Sequence, residues 1–336
     1  MILRPEPSRP RHGTLSGTGA APPVAAVAMW LRRAVLDAQS LAGKDVEDVA
    51  LTAGAAIGAL DAVVRRQERW AGAWRQRLAL VAAAVTAKQA GRVEDEAALR
   101  DVVLLTRPGD FLSVGPAGSM LLAWRRLAGT PAAKLLTEAS IGAVLDDLGL
   151  RRDDEKVSDL ADDLRQLSAG IGMVGMLTGA FAAAERYGFA RAFGCWLADA
   201  LLAQRLGWAY AMPLLGAEAG LGTGARPHRS AASSVATGIE RAKALLAAQA
   251  RAALRAIDLS AELERRADRL LAVAPKLRAK AANMVVERVL SDDAVVASAK
   301  IAGMSDRGLR RLFDRLVELG AVREMSGRTA FRIHGL

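Results

Sequence analysis

The residues with the most directed chemistry lie near the end of the chain. After Ser305, one helical face carries Leu309, Leu312, Phe313, Leu316, Val317 and Leu319, and the other carries Arg307, Arg310, Arg311, Asp314 and Arg315. Guanidinium groups at three- and four-residue spacing project from one side of a helix. There they can pair with phosphates or grip a guanine edge in bidentate fashion. Beyond Gly320 the pattern shifts to alternation, with Val322–Met325 and Arg328–Ile333 flanking Ser326–Gly327, a two-residue hairpin signal. In that register Val322 opposes Phe331 on the buried face and Met325 opposes Arg328 on the other. Arg323, Arg328 and Arg332 then project together, giving phosphate contacts that add affinity but little sequence information. The expected DNA-binding set is Ser305, Arg307, Arg310, Arg311, Arg315, Arg323, Arg328 and Arg332. Asp306 and Asp314 oppose phosphate and limit how deeply such a helix sits.

Other reactive groups point to less. Carboxylates cluster at Glu94–Asp95–Glu96, Asp146–Asp147, Asp153–Asp154–Glu155 and Asp162–Asp163, but no histidine stands between His12 and His228. The Glu-x-x-His pairs of di-metal bundles are therefore missing, and adjacent carboxylates diverge by about 100° around a helix. Solvation, or opposition to the helix macrodipole near helix starts, is the expected use. One cysteine and three histidines cannot build an intrachain disulfide or a Cys₄ or Cys₂His₂ zinc site. Cys195 reads as a buried small hydrophobe, and His228 as exposed. No phosphate-loop, nucleophile-elbow or dinucleotide-binding motif occurs. No cofactor, metal or catalytic residue is expected.

The formal charge is +10, and its distribution is uneven. Residues 1–33 hold 5 basic and 1 acidic residue, residues 34–275 hold 29 and 28, and residues 276–336 hold 12 and 7. The excess therefore belongs to the two ends, which fits an anionic partner such as double-stranded DNA at the C-terminal one. Between Arg165 and Glu185 lie 19 residues without formal charge, including Gly175 and Gly179 in G-x-x-x-G spacing. With Gln166, Ser168 and four glycines in it, that run reads as a buried helix rather than a membrane span. The chain reads as cytoplasmic, with membrane association not expected.

Five prolines in residues 1–28 argue for a disordered tail. Residues 29–215 are rich in alanine and leucine, which favours an all-α domain, with breaks at Gly91, at 107–110, at Gly115–Pro116, at Gly129–Pro131 and at Gly149. The glycine-rich run at 216–234 reads as a flexible linker. Residues 235–275 read as a connecting helix or helix pair, with a break near Asp258–Ser260 and Ser260 as cap. Residues 276–336 read as a helix to about Leu290, a short helical segment over 292–301, a turn at 302–304, a helix capped by Ser305, and the hairpin. The fold class is mainly α, a multi-helix N-terminal domain followed by a C-terminal winged helix-turn-helix with a small β-hairpin.

Several segments resemble an uncharacterised bacterial family, domain of unknown function 1403. They are Trp70–Leu78, Glu94–Asp101 with Leu105–Asp110, Trp196–Leu206, Ala272–Lys280, and Ser305–Arg307 with Leu312–Leu316. The resemblance spans roughly residues 45–336 and departs after Asp110, where Phe111–Val114 replace a shorter acidic turn. It implies no activity. The C-terminal part also resembles winged-helix modules of bacterial regulators and of Fic-type proteins, without a Fic catalytic motif.

The expected function is DNA binding through the winged helix, with the helical domain serving a protein partner, a ligand or a homodimer. The alternative is a scaffold whose winged helix contacts protein, and the third reading is a helical-bundle enzyme.

Overall fold

Alanine-rich segments punctuated by glycine and proline form short helices that bury small side chains against one another. In the computed structural model, residues 27–36, 38–106, 110–170, 172–219, 231–279, 281–327 and 331–336 are described. The first helices are α1 (Met29–Leu36), α2 (Ala38–Ala42), α3 (Val46–Val64), α4 (Ala71–Gln89) and α5 (Glu96–Leu105). They are followed by α6 (Gly115–Gly129), α7 (Ala132–Leu135), α8 (Glu138–Asp147), α9 (Asp154–Gly170), α10 (Met173–Arg186) and α11 (Arg191–Arg205). Several helix ends fall at the expected glycines and prolines, while residues 107–109 of the break expected at 107–110 lie outside the described residues. Gly91 and Gly149 adopt positive φ after α4 and α8, and Pro116 sits in the first turn of α6.

α12 (Ala231–Val273) runs 43 residues, about 65 Å at 1.5 Å per residue. It packs along α3, while α4 packs along α6 and α10 along α11. The expected break at Asp258–Ser260 does not occur. No glycine or proline stands between Ile239 and Val273, one mid-helix serine costs little, and Asp258 pairs with Arg32 of α1 at 2.7 Å.

α11 is buried from Phe193 to Ala203, as a helix at the centre of a core must be. Indole N–H groups of four tryptophans tie the surrounding helices together. Trp74 donates to the Ala256 carbonyl (2.9 Å), Trp124 to Thr86 Oγ1 (3.0 Å), Trp196 to the Ala123 carbonyl (3.1 Å) and Trp208 to Asp61 (2.7 Å). Cys195 is buried on α11. The uncharged run of 166–184 is split between α9 and α10, and no described helix is long and apolar enough to cross a membrane. A Cβ on Gly179 would lie 2.6 Å from Leu167 Cδ2, so glycine there lets α10 approach α9.

The segment expected as a linker begins in the core. Leu215 and Gly216 are buried in a 3-10 turn, where Asp199 accepts from the backbone N–H groups of Leu214 (2.7 Å) and Leu215 (3.0 Å). Burial pushes the Asp199 carboxyl well above the usual carboxylate range, against those two hydrogen bonds. Glu218 is buried and paired with Arg251 (2.9 Å) and Arg255. Residues 220–230, with His228, lie outside the described residues, and α12 begins at Ala231. Of the expected tail, residues 1–26 lie outside the described residues, whereas Val27 is buried in the core.

Candidate nucleic-acid interface

The C-terminal unit is built from α13 (Ala282–Ser291), β1 (Val295–Val296), α14 (Asp306–Glu318), β2 (Arg323–Glu324) and β3 (Ile333–Gly335). β3 lies between the other two strands, antiparallel to both. The short helix expected within 292–301 is absent. Val295 and Val296 instead pair with His334 and Ile333, and turns lead from Ala297 to Met304.

α14 starts and stops as its sequence dictates. Ser305 Oγ accepts from the Gly308 N–H at 3.1 Å. At the other end Gly320 takes φ +63°. The N–H groups of Gly320 and Ala321 return to the carbonyls of Val317 and Leu316, both at 2.9 Å, which is a Schellman stop. Leu309, Leu312, Phe313 and Leu316 are buried, while Val317 and Leu319 fall at the edges of that face and are partly exposed.

The hairpin has a different register from the expected one. Arg323 pairs with Gly335 and Glu324 with His334, and the Met325 N–H donates to the Ile333 carbonyl at 2.8 Å. The connection is therefore longer than two residues. Its first turn is organised by Glu324, whose carboxylate accepts from the N–H groups of Ser326 (2.7 Å) and Gly327 (3.1 Å). The five-residue shift puts Ile333, His334 and Leu336 in the interior and leaves Phe331 exposed with φ +56°. β1, too distant in sequence to enter a local pattern, fixes this register by occupying the far edge of β3.

The expected site residues consequently divide. Arg307, Arg310, Arg311 and Arg315 are exposed along the face of α14 opposite its buried leucines. Arg307, Arg310 and Arg311 enter no ion pair among the described residues; Arg315 pairs with Glu318 (2.9 Å) and Arg332 with Asp314 (3.3 Å). Ser305 is committed to its cap. Arg323 does not project with Arg332: it donates to the Leu336 carbonyl at 3.4 Å, beside Arg266 of α12, which donates to the same oxygen at 3.1 Å. Arg328 lies outside the described residues.

A second cluster of charge joins this unit to the helices. Asp293, just before β1, is fully buried, with its carboxylate paired to Arg100 of α5 (2.6 Å) and to Arg77 of α4. Burial alone would raise its pKa, but Arg77 and Arg100 outweigh that and hold the carboxyl below its ordinary range. Arg125 of α6 stands behind them; burial lowers its pKa, and its Nε has no partner among the described residues. Asp293 escaped the sequence reading because its partners lie 193 and 216 residues away.

The clustered acids occupy helix starts or ion pairs. Asp95 accepts from the Ala98 N–H at the start of α5 (2.8 Å), Asp147 pairs with Arg126 (2.9 Å) and Asp163 with Arg186 (2.7 Å). Among the described residues, no three histidine, cysteine or acidic side chains meet in a group able to hold a metal ion.

The described residues define a mainly helical protein with a small three-stranded antiparallel sheet near its C-terminus. The family model for "Protein of unknown function (DUF1403)" matches residues 23–336, and the chain belongs to that family. The match extends further toward the N-terminus than the sequence motifs indicated. No curated protein and no solved structure matches the chain.

Proposed function

We propose that this protein binds duplex DNA through a C-terminal winged-helix unit, with α14 as the helix that meets the major groove. The helical body serves a protein partner, a ligand or a second copy of the chain, and the protein works in the cytoplasm without catalysis or a cofactor. The main support is the exposed row of Arg307, Arg310 and Arg311, which no carboxylate neutralises among the described residues. The order α13, β1, α14, β2, β3, with β3 central, suits a winged helix, although turns replace the helix that usually precedes the recognition helix. Arg332 lies beside α14 with its charge paired to Asp314.

Fluorescence anisotropy with a random-sequence duplex over a salt series tests this. Replacing Arg307, Arg310 and Arg311 together with alanine is expected to weaken binding and flatten the log–log salt slope by about 2 to 3 units. Unchanged binding by the triple variant at moderate salt sinks the docking model.

A protein-binding winged helix is the second reading. Asp306, Asp314 and Glu318 share the exposed surface of α14, and Val317 and Leu319 border it. Failure to bind duplex at low salt, together with a partner that co-purifies through α14, would favour it.

A further inference from the structure

The acids of residues 276–336 are nearly all committed. Glu287, Asp292, Asp314 and Glu318 stand in ion pairs with Arg69, Arg288, Arg332 and Arg315. Asp293 is buried between Arg77 and Arg100, and Glu324 holds the turn after β2. The remaining acid, Asp306, sits in the first turn of α14, where it offsets that helix's own positive end. Against it stand six exposed cations with no ion-pair partner among the described residues: Lys276, Arg278, Lys300, Arg307, Arg310 and Arg311. The last three project from α14, whereas Lys276, Arg278 and Lys300 precede it in the chain.

These three are held in place by their neighbours. Lys276 and Arg278 flank Leu277, and Lys300 precedes Ile301. Leu277 and Ile301 pack against the core, which anchors the chain at both points and leaves the adjoining cations in solvent. Three residues beyond Arg278 and three beyond Lys300, the two segments meet. A Cβ on Gly303 would lie 3.8 Å from the Cβ of Ala281, and three residues span at most about 11 Å. Arg278 and Lys300 therefore frame the turn that leads into Ser305 and α14, and Arg307 continues the line along the helix. α13 begins at the same place with no side-chain cap and no acid in its first turn, which adds an uncompensated positive end.

We propose that Lys276, Arg278 and Lys300 form a phosphate clamp at the start of α14, gripping one backbone strand of the duplex whose major groove α14 enters. The clamp rests on the DNA-binding reading and adds a contact surface to it.

Groove geometry assigns these cations to the backbone. A major groove is about 12 Å wide and walled by phosphates, and a helix with its side chains, about 10–12 Å across, fills it. Groups that border the end of such a helix meet the wall, while groups along its exposed face meet the floor. Long cationic side chains at the wall give affinity and orientation without sequence information.

Anisotropy of the full chain with two unrelated duplexes over a salt series separates the clamp from the reading helix. Replacing Lys276, Arg278 and Lys300 together with alanine is expected to weaken both duplexes by the same factor, roughly 10- to 100-fold at moderate salt, and to flatten the log–log slope by about 2 to 3 units. The melting temperature should match wild type, since these exposed side chains enter no ion pair among the described residues. A control triple, Lys88→Ala with Arg92→Ala and Lys134→Ala, removes the same charge from exposed positions of the helical body and should stay within about threefold of wild type. Unchanged affinity and slope in the first triple overturn the clamp and leave α14 as the DNA-binding helix. Equal losses in both triples overturn it as well, because overall charge then suffices. A loss confined to one duplex does the same, because it marks base reading. If wild type binds no duplex at low salt, α14 and the clamp fall together.

Discussion

The carboxylate of Asp293 lies 2.6 Å from Arg100 Nε, with the two side chains 0% and 7% exposed. This one contact bolts the loop between α13 and β1 to α5. It also removes from the surface the acid that would otherwise sit beside the basic C-terminal unit. Arg77 closes the other side of the same carboxylate.

Asp293→Asn should cost about 3–5 kcal/mol, because it leaves Arg77 and Arg100 buried without their counter-charge. The pH dependence has a definite sign. The folded-state pKa of Asp293 is depressed, so its contribution is complete above the unfolded value of about 4 and fades as pH falls through the lower folded value. Urea titrations of wild type and variant should therefore converge in acid. A stability gap of constant size between pH 7 and pH 3 excludes the ion pair as its source.

Gly72→Ala should weaken the seating of α13 on α4. The added Cβ would lie 2.6 Å from the Ser291 carbonyl oxygen and 2.8 Å from Ser291 Cα, backbone atoms that cannot swing aside. A loss of about 1–3 kcal/mol is expected. Gly58→Ala, at an exposed position of α3 with nothing within 4 Å, should instead gain about 0.5–1 kcal/mol. Thermal melts of the pair separate crowding from glycine entropy.

Ser305→Ala should cost about 1 kcal/mol by freeing the Gly308 N–H at the start of α14. Ser305→Asp keeps an acceptor and should retain most of the stability. If both substitutions cost the same, the cap is not the source of the loss.

Cys195 should resist alkylation in the native protein. Burial pushes its thiol up to about 12, which leaves almost no thiolate near pH 8. Mass spectrometry after iodoacetamide treatment should show no adduct until denaturant is added. Rapid native labelling would contradict the packing of α11.

Local chemistry made much of this fold legible. Ser305 and Gly320 mark α14 because a cap and a positive-φ stop act within a few residues. Gly91, Pro116 and Gly149 likewise mark helix ends. Errors arose where distant partners decide. Ser326–Gly327 looked like a tight turn, but pairing of β3 with β1 and burial of Ile333 and His334 set another register. Asp258–Ser260 looked like a break, yet α3 and Arg32 support an uninterrupted α12. The arginines of α14 were found by spacing. Asp293 and His334 were not, since burial and pairing across the chain give each its character.

The length and position of α12 bear on how the protein is made. α3 packs chiefly along α12, and Arg32 meets Asp258 across 226 residues. On the ribosome, the N-terminal helices emerge long before the surface that completes their core. At about 5–20 residues per second, that delay is roughly 10–50 s. During it, the apolar side of α3 must be shielded by the earlier helices or by a chaperone. Slowing synthesis ahead of α12 should therefore lower the soluble yield.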